Sequence, residues 1–500
     1  MRLQYGGAVA ITETITSGSN RVTQHGLLIG GQWVEPVDGS SYRLTSPVTG
    51  REIAEIAAGG PEDVERAVQA AATAFYENEF RTNFERAQWC DRIADTIDSR
   101  RDHLAEELVL EHGKPIGEAK AEVSSAAMGF RLAAEEGRRL VGETLPVNDV
   151  HKRVMTIRRP LGVWAVFTPW NFPANIPVEY LGPAIASGNT VVWKPASSTA
   201  RIAVRLAECI ADSDIPTGVV NLVTGPAARI ASHLIHQVDV VGVGFTGSSA
   251  VGRAVAADAA GKYVVLELGG NGPVIVLGDA DLERAVPAVG SAAFWNAGQS
   301  CTAAERIIAE PGAYEELTAG LRNVAKGIRL GDPRDSATTM GPVHGESTAE
   351  KMDEHIADAV RQGAEILAGG VRREGAPTRL YYEPTVLASV PPSALVHQEE
   401  TFGPIAPVTE VSGDEAILEV CAASKLGLSA AIFTRDIARG IRLAERLTNG
   451  QVIINDTSNY WELHMPFGGS PRTDSGIGRL GGKYMLHAMT QIKSISVDVS

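Results

Sequence analysis

Five short apolar runs, each followed by a segment with helical periodicity, constrain the fold of this chain more than any other feature. The runs lie at residues 162–167, 190–194, 219–223, 240–245 and 264–268. Apolar runs of this length that alternate with helices are typical of buried strands in a parallel sheet with helices on both faces. The sequence therefore predicts a doubly wound α/β domain over this stretch.

The flanking sequence extends this prediction in both directions. A second α/β stretch begins near Asp279 and includes apolar runs at 307–309 and 430–433. Residues 1–24 are polar and rich in turn-forming residues, and we expect a loose N-terminal arm there. Apolar residues at helical spacing predict helices in five further segments: 61–74, 84–98, 103–112, 116–139 and 199–211.

Composition excludes several classes of protein. The formal net charge of −15 disfavours nucleic acid or an anionic membrane as a partner, because a phosphate backbone is bound by a basic face. The four cysteines stand singly, which disfavours a disulfide framework or a zinc site and fits a reducing compartment. No apolar run approaches the roughly 20 residues of a membrane span, and the N-terminus does not read as a signal peptide. We therefore predict a cytoplasmic protein without a metal site.

Three separate segments supply the groups for covalent chemistry on a carbonyl. Cys301 ends the segment Gly-Gln-Ser-Cys, Glu267 begins Glu-Leu-Gly-Gly, and Asn171 lies in Trp-Asn-Phe-Pro. A thiolate can attack an electrophilic carbon, an amide can donate to the resulting oxyanion, and a carboxylate can activate water. Taken singly, a lone cysteine is more often an inert core thiol, and a strand-end acid is more often simply exposed.

The longer motifs around these residues resemble the aldehyde dehydrogenase family, from about residue 29 to about residue 495. The resemblance implies that Cys301 is the nucleophile, that Asn171 and the Cys301 backbone N–H stabilise the oxyanion, and that Glu267 is the base that activates the deacylating water. We expect site electrostatics, and no fixed histidine, to activate the thiol. We also expect the glycines after Glu267, including Gly269, to give room to a moving nicotinamide.

The cofactor segment contains a misleading match. Residues 242–247 fit G-x-G-x-x-G, and Glu267 follows 20 residues later, as the ribose acid of an ordinary dinucleotide fingerprint does. The first two glycines fall inside the apolar run, however, so we interpret Gly247 and Ser248 as the strand-to-helix turn that receives a pyrophosphate. Read alone, this segment could equally be an ordinary β–α turn.

The resemblance assigns the remaining cofactor contacts. Lys194 and Ser197, in Lys-Pro-Ala-Ser, would lie at the adenosine ribose, and an uncharged Ser197 should tolerate the 2′-phosphate of NADP. Glu400 would hold the nicotinamide ribose and Phe402 would pack on the nicotinamide, with Trp170 also at the cofactor. The predicted cofactor is NADP and/or NAD. Leu480 stands where relatives commonly have Glu, which puts a secondary proton relay there in doubt.

The substrate is less well defined by the sequence. The motifs are closest to succinate-semialdehyde-type members, but Glu179 and Trp295 occupy the positions of their two carboxylate-binding arginines. We therefore expect an aromatic or otherwise non-carboxylated aldehyde; the alternative is a small polar semialdehyde or an aminoaldehyde, for which an aromatic cage could hold a cation. The predicted substrate pocket comprises Glu179, Trp295, Tyr460, Trp461 and Phe467.

The resemblance also implies a domain organisation and a homodimer or homotetramer. CoA-acylating dehydrogenases, thiol esterases and non-catalytic relatives remain as alternatives; Glu267 disfavours the first and the cofactor motifs disfavour the second. The intact catalytic trio disfavours the third. The predicted ranges are 25–143 and 161–267 for the cofactor domain, 268–480 for the catalytic domain, and 144–160 with 481–500 for a bridging β-element.

Overall fold

A computed structural model describes residues 23–500, so the predicted arm lies outside the described residues except for its last two positions. Those two positions already belong to the first strand. The elements as far as the end of the first sheet's parallel strands are β1 Thr23–His25, β2 Leu27–Ile29, β3 Gln32–Val34, β4 Ser41–Thr45, β5 Glu52–Ala57, α1 Pro61–Asn78, α2 Asn83–Ser99, α3 Arg101–His112, α4 Ile116–Arg138, β6 Thr144–Leu145, β7 Lys152–Pro160, β8 Val163–Thr168, α5 Asn175–Ser187, β9 Thr190–Pro195, α6 Ala200–Ala211, β10 Val220–Leu222, α7 Ala227–Ile235, β11 Val240–Thr246, α8 Ser249–Asp258 and β12 Tyr263–Glu267.

The second half of the chain repeats the alternation of strands and helices. Its elements are β13 Pro273–Val276, α9 Leu282–Phe294, β14 Arg306–Ala309, α10 Pro311–Gly327, α11 Glu346–Arg361, β15 Glu365–Ala368, β16 Thr385–Ala388, α12 Leu395–Gln398, β17 Ile405–Glu410, α13 Asp414–Ala422, β18 Ser429–Phe433, α14 Ile437–Arg446, β19 Gln451–Ile454, β20 Gly476–Ile477, α15 Gly482–Ala488 and β21 Thr490–Asp498.

The first large sheet has eight strands in the order β20-β12-β11-β8-β9-β10-β2-β3. The five central strands are parallel, and they are the five apolar runs from which the sheet was predicted. Side chains alternate between two cores because successive residues of a strand point to opposite faces. Trp164 and Val166 pack with the helices α2 to α6, whereas Val163 and Ala165 pack with α1, α7 and α8. The doubly wound prediction is thus confirmed.

The second large sheet has seven strands in the order β15-β16-β17-β14-β13-β18-β19. All of its neighbouring pairs are parallel except β15 with β16. Val274 and Val276 face the core formed with α9 and α10, and Ile275 faces the core formed with α13 and α14. The predicted second α/β region is therefore present, also with helices on both faces.

Two three-stranded sheets complete the fold. One has the order β1-β5-β4, and the other pairs β7 antiparallel with both β6 and β21. The second contains the two edge strands predicted at residues 152–159 and 489–499. β20 falls within the range predicted for the catalytic domain, but it pairs with β12 of the first sheet. Among the helices of residues 23–500, none is both long and apolar enough to cross a bilayer.

Candidate active site

The order of the strands places a crevice at the centre of the first sheet. β9 and β10 continue from β8 in one direction, whereas β11 and β12 continue in the other, so the order reverses between β8 and β11. In open α/β sheets, ligands bind at the carboxyl ends of the strands where the order reverses. Asn171 follows β8, Gly247 follows β11, and Glu267 is the last residue of β12. All three therefore lie at this edge.

The second sheet presents the opposite ends of its strands to this edge. Gly270 precedes β13, Cys301 precedes β14, and Glu400 and Phe402 precede β17. The two sets of loops enclose a cleft of about 840 Å³ that opens to solvent. Of the residues predicted for catalysis and cofactor binding, the cleft is lined by Trp170, Asn171, Gly247, Ser248, Glu267, Gly269, Cys301, Glu400 and Phe402.

The loop before Cys301 has a left-handed backbone over three successive residues. Asn296, Ala297 and Gly298 have φ values of 52°, 54° and 69°. A Cβ on Gly298 would lie 2.2 Å from the carbonyl oxygen of Gly403, so only glycine fits this position. Two side-chain amides fix the loop: Asn171 Nδ2 donates to the Gln299 carbonyl at 3.2 Å, and Asn296 Nδ2 donates to the same oxygen at 3.1 Å.

Buried Glu267 contacts the half-buried Cys301. Burial raises the pKa of Glu267 to about 8, although its contact with the Cys301 thiol lowers it slightly. Within the described chain, the Glu267 oxygen Oε1 has no hydrogen-bond partner. Burial also raises the pKa of the Cys301 thiol well above its ordinary value, and the nearby carboxyl groups of Glu267 and Glu400 raise it further. Burial and, to a smaller extent, the acidic neighbours therefore disfavour the thiolate, and electrostatic activation of the thiol stays a prediction.

The glycines after Glu267 are required by contacts within the protein. A Cβ on Gly270 would lie 1.9 Å from the carbonyl oxygen of Cys301, and one on Gly269 would lie 2.9 Å from Glu400 Oε2. The Gly270 N–H donates to Glu400 Oε1 at 2.9 Å. These glycines let three active-site segments approach one another, whereas the sequence had led us to expect that they make room for a nicotinamide.

The predicted pyrophosphate turn has the expected geometry. Gly242 and Gly244 lie inside β11, where a Cβ would meet the rings of Trp164 and Tyr180 at 2.5 Å. Their role is therefore packing, as their position in the apolar run indicated. Ser248 caps α8 by accepting a hydrogen bond from the Val251 N–H at 3.4 Å. The N-terminus of α8 thus opens onto the cleft, where backbone N–H groups favour an anion.

The loop that carries Glu400 and Phe402 is held from beneath. Buried Glu305 accepts hydrogen bonds from the N–H groups of Thr401 and Phe402, both at 2.7 Å. Burial raises the pKa of Glu400 to about 7, against the opposing effects of the Gly270 N–H and Lys351. The Phe402 ring meets the Trp170 ring edge-on, with centroids 5.4 Å apart. This loop therefore offers the cleft a carboxyl group and an aromatic ring.

The two predicted adenosine-ribose residues lie outside the lining of this cleft. Lys194 belongs to β9 and is buried, and burial lowers its pKa to about 8. Ser197 begins the short 3₁₀ turn before α6, and its hydroxyl donates to the Gly225 carbonyl at 2.8 Å. Both residues lie at or after the carboxyl end of β9, which adjoins β8 at the crevice.

The five predicted substrate residues lie outside the lining of the Cys301 cleft. Glu179 lies, with Val178 and Leu463, at a separate small cavity that has room for little more than one water molecule. Trp295 stacks on Phe172 at 4.9 Å. In the described part of the chain, no ring contact joins Trp170, Trp295 and Tyr460, and the aromatic cage stays a prediction.

The other three substrate residues make local contacts. Half-buried Trp461 packs on Phe467 with ring centroids 5.3 Å apart. Tyr460 is 42% exposed, and its hydroxyl donates to Glu462 at 2.9 Å. Leu480, at the doubted relay position, is 2% exposed and joins the same apolar core as Phe467, where it cannot carry a proton.

Several residues that support the cleft were missed from the sequence. Lys351 lines it, and His344 stacks on Trp170 at 4.6 Å. Lys114 and Glu122 form a buried ion pair behind Asn171. Lys114 follows α3 in Gly-Lys-Pro, which reads as an ordinary helix end, and Glu122 lies on the second turn of α4. The sequence offered no signal for either residue, because their partners are distant along the chain.

Comparison with known proteins gives a consistent result. Residues 33–495 match the model described as "Aldehyde dehydrogenase family". The chain is similar to succinate-semialdehyde dehydrogenase [NADP(+)] GabD of Escherichia coli, with 37% identity over 94% of this chain and 97% of that protein. It is 38% identical to 3-sulfolactaldehyde dehydrogenase of Pseudomonas putida, over 93% and 96% of the two chains. A crystal structure of betaine aldehyde dehydrogenase from Staphylococcus aureus in complex with NAD+ superposes with a TM-score of 0.91, at 31% identity, covering 95% of this chain and 98% of that one.

Proposed function

Because the chain belongs to the aldehyde dehydrogenase family, we propose that Cys301, Glu267 and Asn171 carry out its reaction, and that its substrate is a small polar aldehyde of the semialdehyde type. The enzyme is an NAD(P)-dependent aldehyde dehydrogenase. The observation that carries the assignment is the convergence of a thiol, a carboxyl group and an amide on one cleft. These three groups come from two different sheets, and the cleft is where they meet.

The proposed reaction begins with attack of the Cys301 sulfur on the aldehyde carbon. Glu267, whose pKa is near 8, takes the thiol proton across their contact. Asn171 Nδ2 and the Cys301 backbone N–H donate to the oxyanion of the thiohemiacetal. Loss of hydride leaves a thioester on Cys301. Glu267 passes the thiol proton to solvent and, ionised again, removes a proton from water, which attacks the thioester; the carboxylic acid is released and the Cys301 thiolate is the leaving group.

The residues of the cleft fit a nicotinamide dinucleotide. The N-terminus of α8, with Gly247 and Ser248, offers N–H donors for the pyrophosphate. We assign the nicotinamide ribose to Glu400 and the ring to Phe402 and Trp170. When bound, the nicotinamide accepts the hydride from the thiohemiacetal carbon. Lys194 and Ser197 would hold the adenosine ribose at the end of β9, and Gly269 lies against the Glu400 carboxyl group.

The relatives support the alternative substrate prediction over the aromatic aldehyde. Their names specify a semialdehyde and a sulfolactaldehyde, which are small polar aldehydes with an anionic group. Glu179 need not repel such an anion. Burial raises the pKa of Glu179 well above its ordinary value, and Glu267 raises it further, so the neutral acid is favoured. A protonated carboxyl group is a hydrogen-bond donor to an anionic oxygen. The scattered positions of the aromatic rings also weaken the case for a stacked aromatic substrate.

A panel of three aldehydes tests this proposal. Succinate semialdehyde, aminobutyraldehyde and benzaldehyde should be compared by the rate of cofactor reduction with NAD and with NADP. We expect kcat/KM for succinate semialdehyde to exceed that for benzaldehyde by about tenfold or more, a difference worth about 1.4 kcal/mol in the barrier. A preference for benzaldehyde would restore the aromatic prediction, and a preference for the aminoaldehyde would make Glu179 an anionic counter-charge. Failure of all three aldehydes with both cofactors would contradict the substrate class.

We further propose that the sheet of β6, β7 and β21 forms the contact between subunits of a homodimer or homotetramer. Two apolar side chains on its strands are exposed to solvent: Ile492 is 62% exposed and Met155 is 42% exposed. Exposed apolar surface of this kind marks association sites. Light scattering during size-exclusion chromatography gives the mass, and a monomer at micromolar concentration would contradict the proposal. The variant Ile492→Lys places a charge on this surface and should shift the measured mass towards that of one subunit.

A further inference from the structure

A buried ion pair lies directly behind the residue proposed to bind the oxyanion. Lys114 and Glu122 are 2% and 6% exposed, and the Lys114 ammonium group contacts Glu122 Oε2. Lys114 lies between α3 and α4, and Glu122 lies on the second turn of α4. Two charges removed from water stabilise a fold weakly at best, and apolar residues of similar volume often serve equally well. Stabilisation of the fold therefore does not by itself explain why these two charges are buried here.

The pair forms hydrogen bonds with both ends of the segment that carries Asn171. The Lys114 ammonium group donates to the Asn171 carbonyl at 3.0 Å and lies 4.3 Å from the centre of the Phe172 ring. Glu122 Oε1 accepts hydrogen bonds from the N–H groups of Ala174 and Asn175, at 2.8 Å and 3.2 Å. These two N–H groups belong to the start of α5 and have no partner within that helix. The pair therefore fixes the backbone on both sides of Pro173.

The same carbonyl links this segment to the nucleophile loop. The Asn171 carbonyl also accepts a hydrogen bond from Asn296 Nδ2 at 3.1 Å, while Asn171 Nδ2 reaches the Gln299 carbonyl. Lys114 is thus one of two donors that hold the Asn171 backbone in place relative to the loop before Cys301. A displacement of the amide by about 1 Å can cost up to about a hundredfold in rate.

We propose that Lys114 and Glu122 are positioning residues for the oxyanion site, acting through Asn171. The inference rests on the proposed function, because it assumes that the Asn171 amide stabilises the oxyanion. Neither residue lines the cleft, and both side chains are almost fully buried against the Asn171 segment, so we assign neither a contact with substrate or cofactor. Their effect should fall on the acylation step and leave cofactor binding unchanged.

A double-mutant cycle with Asn171→Ala tests this role. Removing Lys114 alone would leave a buried uncompensated carboxylate, so the first variant is the neutral pair Lys114→Met/Glu122→Gln, whose glutamine can still accept at α5. We expect the rate of the first hydride burst to fall about 10- to 100-fold, approaching the loss for removal of an oxyanion donor. The affinity for NAD(P), measured by protein fluorescence, should change by less than about threefold. In the Asn171→Ala background, the same double substitution should lower the burst rate by less than about threefold, because the amide through which the ion pair acts is absent.

A matched control separates positioning from general stability. Arg439 and Glu310 form a half-buried ion pair on the second domain, with a nitrogen–oxygen distance of 2.7 Å, and neither lines the cleft. Arg439→Met/Glu310→Gln should leave the burst rate within about threefold of wild type in either background. If Lys114→Met/Glu122→Gln does not fold, the cycle is run with Lys114→Arg, whose planar guanidinium cannot repeat the contacts of a point-like ammonium group.

Two results would overturn the inference while leaving the proposed function intact. One is a wild-type-like burst rate in the folded pair variant. The other is an equal fold-loss in the wild-type and Asn171→Ala backgrounds, which would make the pair merely structural. A wild-type enzyme that forms no burst with any aldehyde would instead contradict the proposed function itself.

Discussion

The cleft at Cys301 and the cavity at Glu179 are built differently, although the two are close enough for Glu267 to raise the pKa of Glu179. In the cleft, the thiol, the carboxyl groups and the amide are held by partners from both sheets. Glu305 fixes the Phe402 loop, and Gln299 accepts from Asn171. At the cavity, Glu179 has a hydrogen bond from Asn175 of its own helix at 3.0 Å, among apolar walls.

The difference shows which side of the site can vary. A change in the cleft disturbs several segments at once. Gly270, for example, packs against the backbone of Cys301 and donates a hydrogen bond to Glu400. A change at Glu179 disturbs one turn of α5. The contacts of the cleft therefore suit a fixed reaction, and the relatives are named as dehydrogenases of different aldehydes. That Glu179 helps to select the aldehyde is part of our proposal. The following changes test this contrast.

Loss of the thiol should have the largest effect. Cys301→Ser nearly preserves side-chain size but replaces the nucleophile with one far weaker at neutral pH. We expect aldehyde oxidation to fall to the background of the assay while the melting temperature stays close to that of wild type. Retention of more than about a tenth of wild-type turnover, only about 1.4 kcal/mol of barrier, would rule out covalent catalysis by Cys301.

Removal of the base should separate the two halves of the reaction. In Glu267→Gln, steady-state turnover should fall by about 10²- to 10⁴-fold, the range for loss of general-base catalysis. A first burst of reduced cofactor should persist at high pH, where the thiol can ionise without Glu267. Stopped-flow absorbance resolves the two phases. Equal losses in burst and turnover at high pH would contradict a role in deacylation and would leave Glu267 only its role in acylation or a structural one.

The pKa of Glu267 predicts how activity depends on pH. Its pKa is raised to about 8, so the ionised base becomes populated as pH rises through that value. If Glu267 limits deacylation, steady-state kcat should rise about tenfold per pH unit below 8 and level off above it. The Glu267→Gln variant is the control and should lack this limb. A wild-type profile that is flat between pH 6 and 9, roughly two units below and one above this pKa, would contradict the prediction.

At the cavity, a gain of function is expected. Glu179→Arg introduces the arginine that the family resemblance leads us to expect here in carboxylate-handling enzymes, and a guanidinium binds a carboxylate with two hydrogen bonds. We expect kcat/KM for succinate semialdehyde to rise about tenfold, whereas Glu179→Gln should change it by less than about threefold. Turnover of benzaldehyde is the internal reference. If Glu179→Gln lowered kcat/KM as much as the cleft variants do, the two regions would not differ in the way described.

The smallest effect is expected at the far end of the cofactor. Ser197→Glu places a carboxylate where a 2′-phosphate would lie and where ribose hydroxyls could donate to it. We expect the ratio of kcat/KM for NAD to that for NADP to rise about tenfold or less. Ser197→Ala is the neutral control, since it removes only the hydrogen bond to Gly225. An unchanged ratio in Ser197→Glu would mean that this residue does not face the ribose.

Much of this protein could be read from local sequence. The five parallel strands of the first sheet were predictable because burial on both faces makes each strand a continuous apolar run. The positions of Gly242 and Gly244 inside β11 followed from the same pattern. Asn171, Glu267 and Cys301 could be selected because each lies in a short motif whose chemistry is local.

Only the tertiary structure decided how these groups influence one another. The raised pKa values of Glu267 and Cys301 come mainly from burial between two sheets, and Lys114 of the ion pair contacts the Asn171 carbonyl, 57 positions further along the chain. The separation of Glu179 from the cleft lining and of Trp295 from Trp170 likewise depends on helix packing. Burial, electrostatic coupling and ring contacts are properties of distances in space, and the spacing of residues along a chain does not fix those distances.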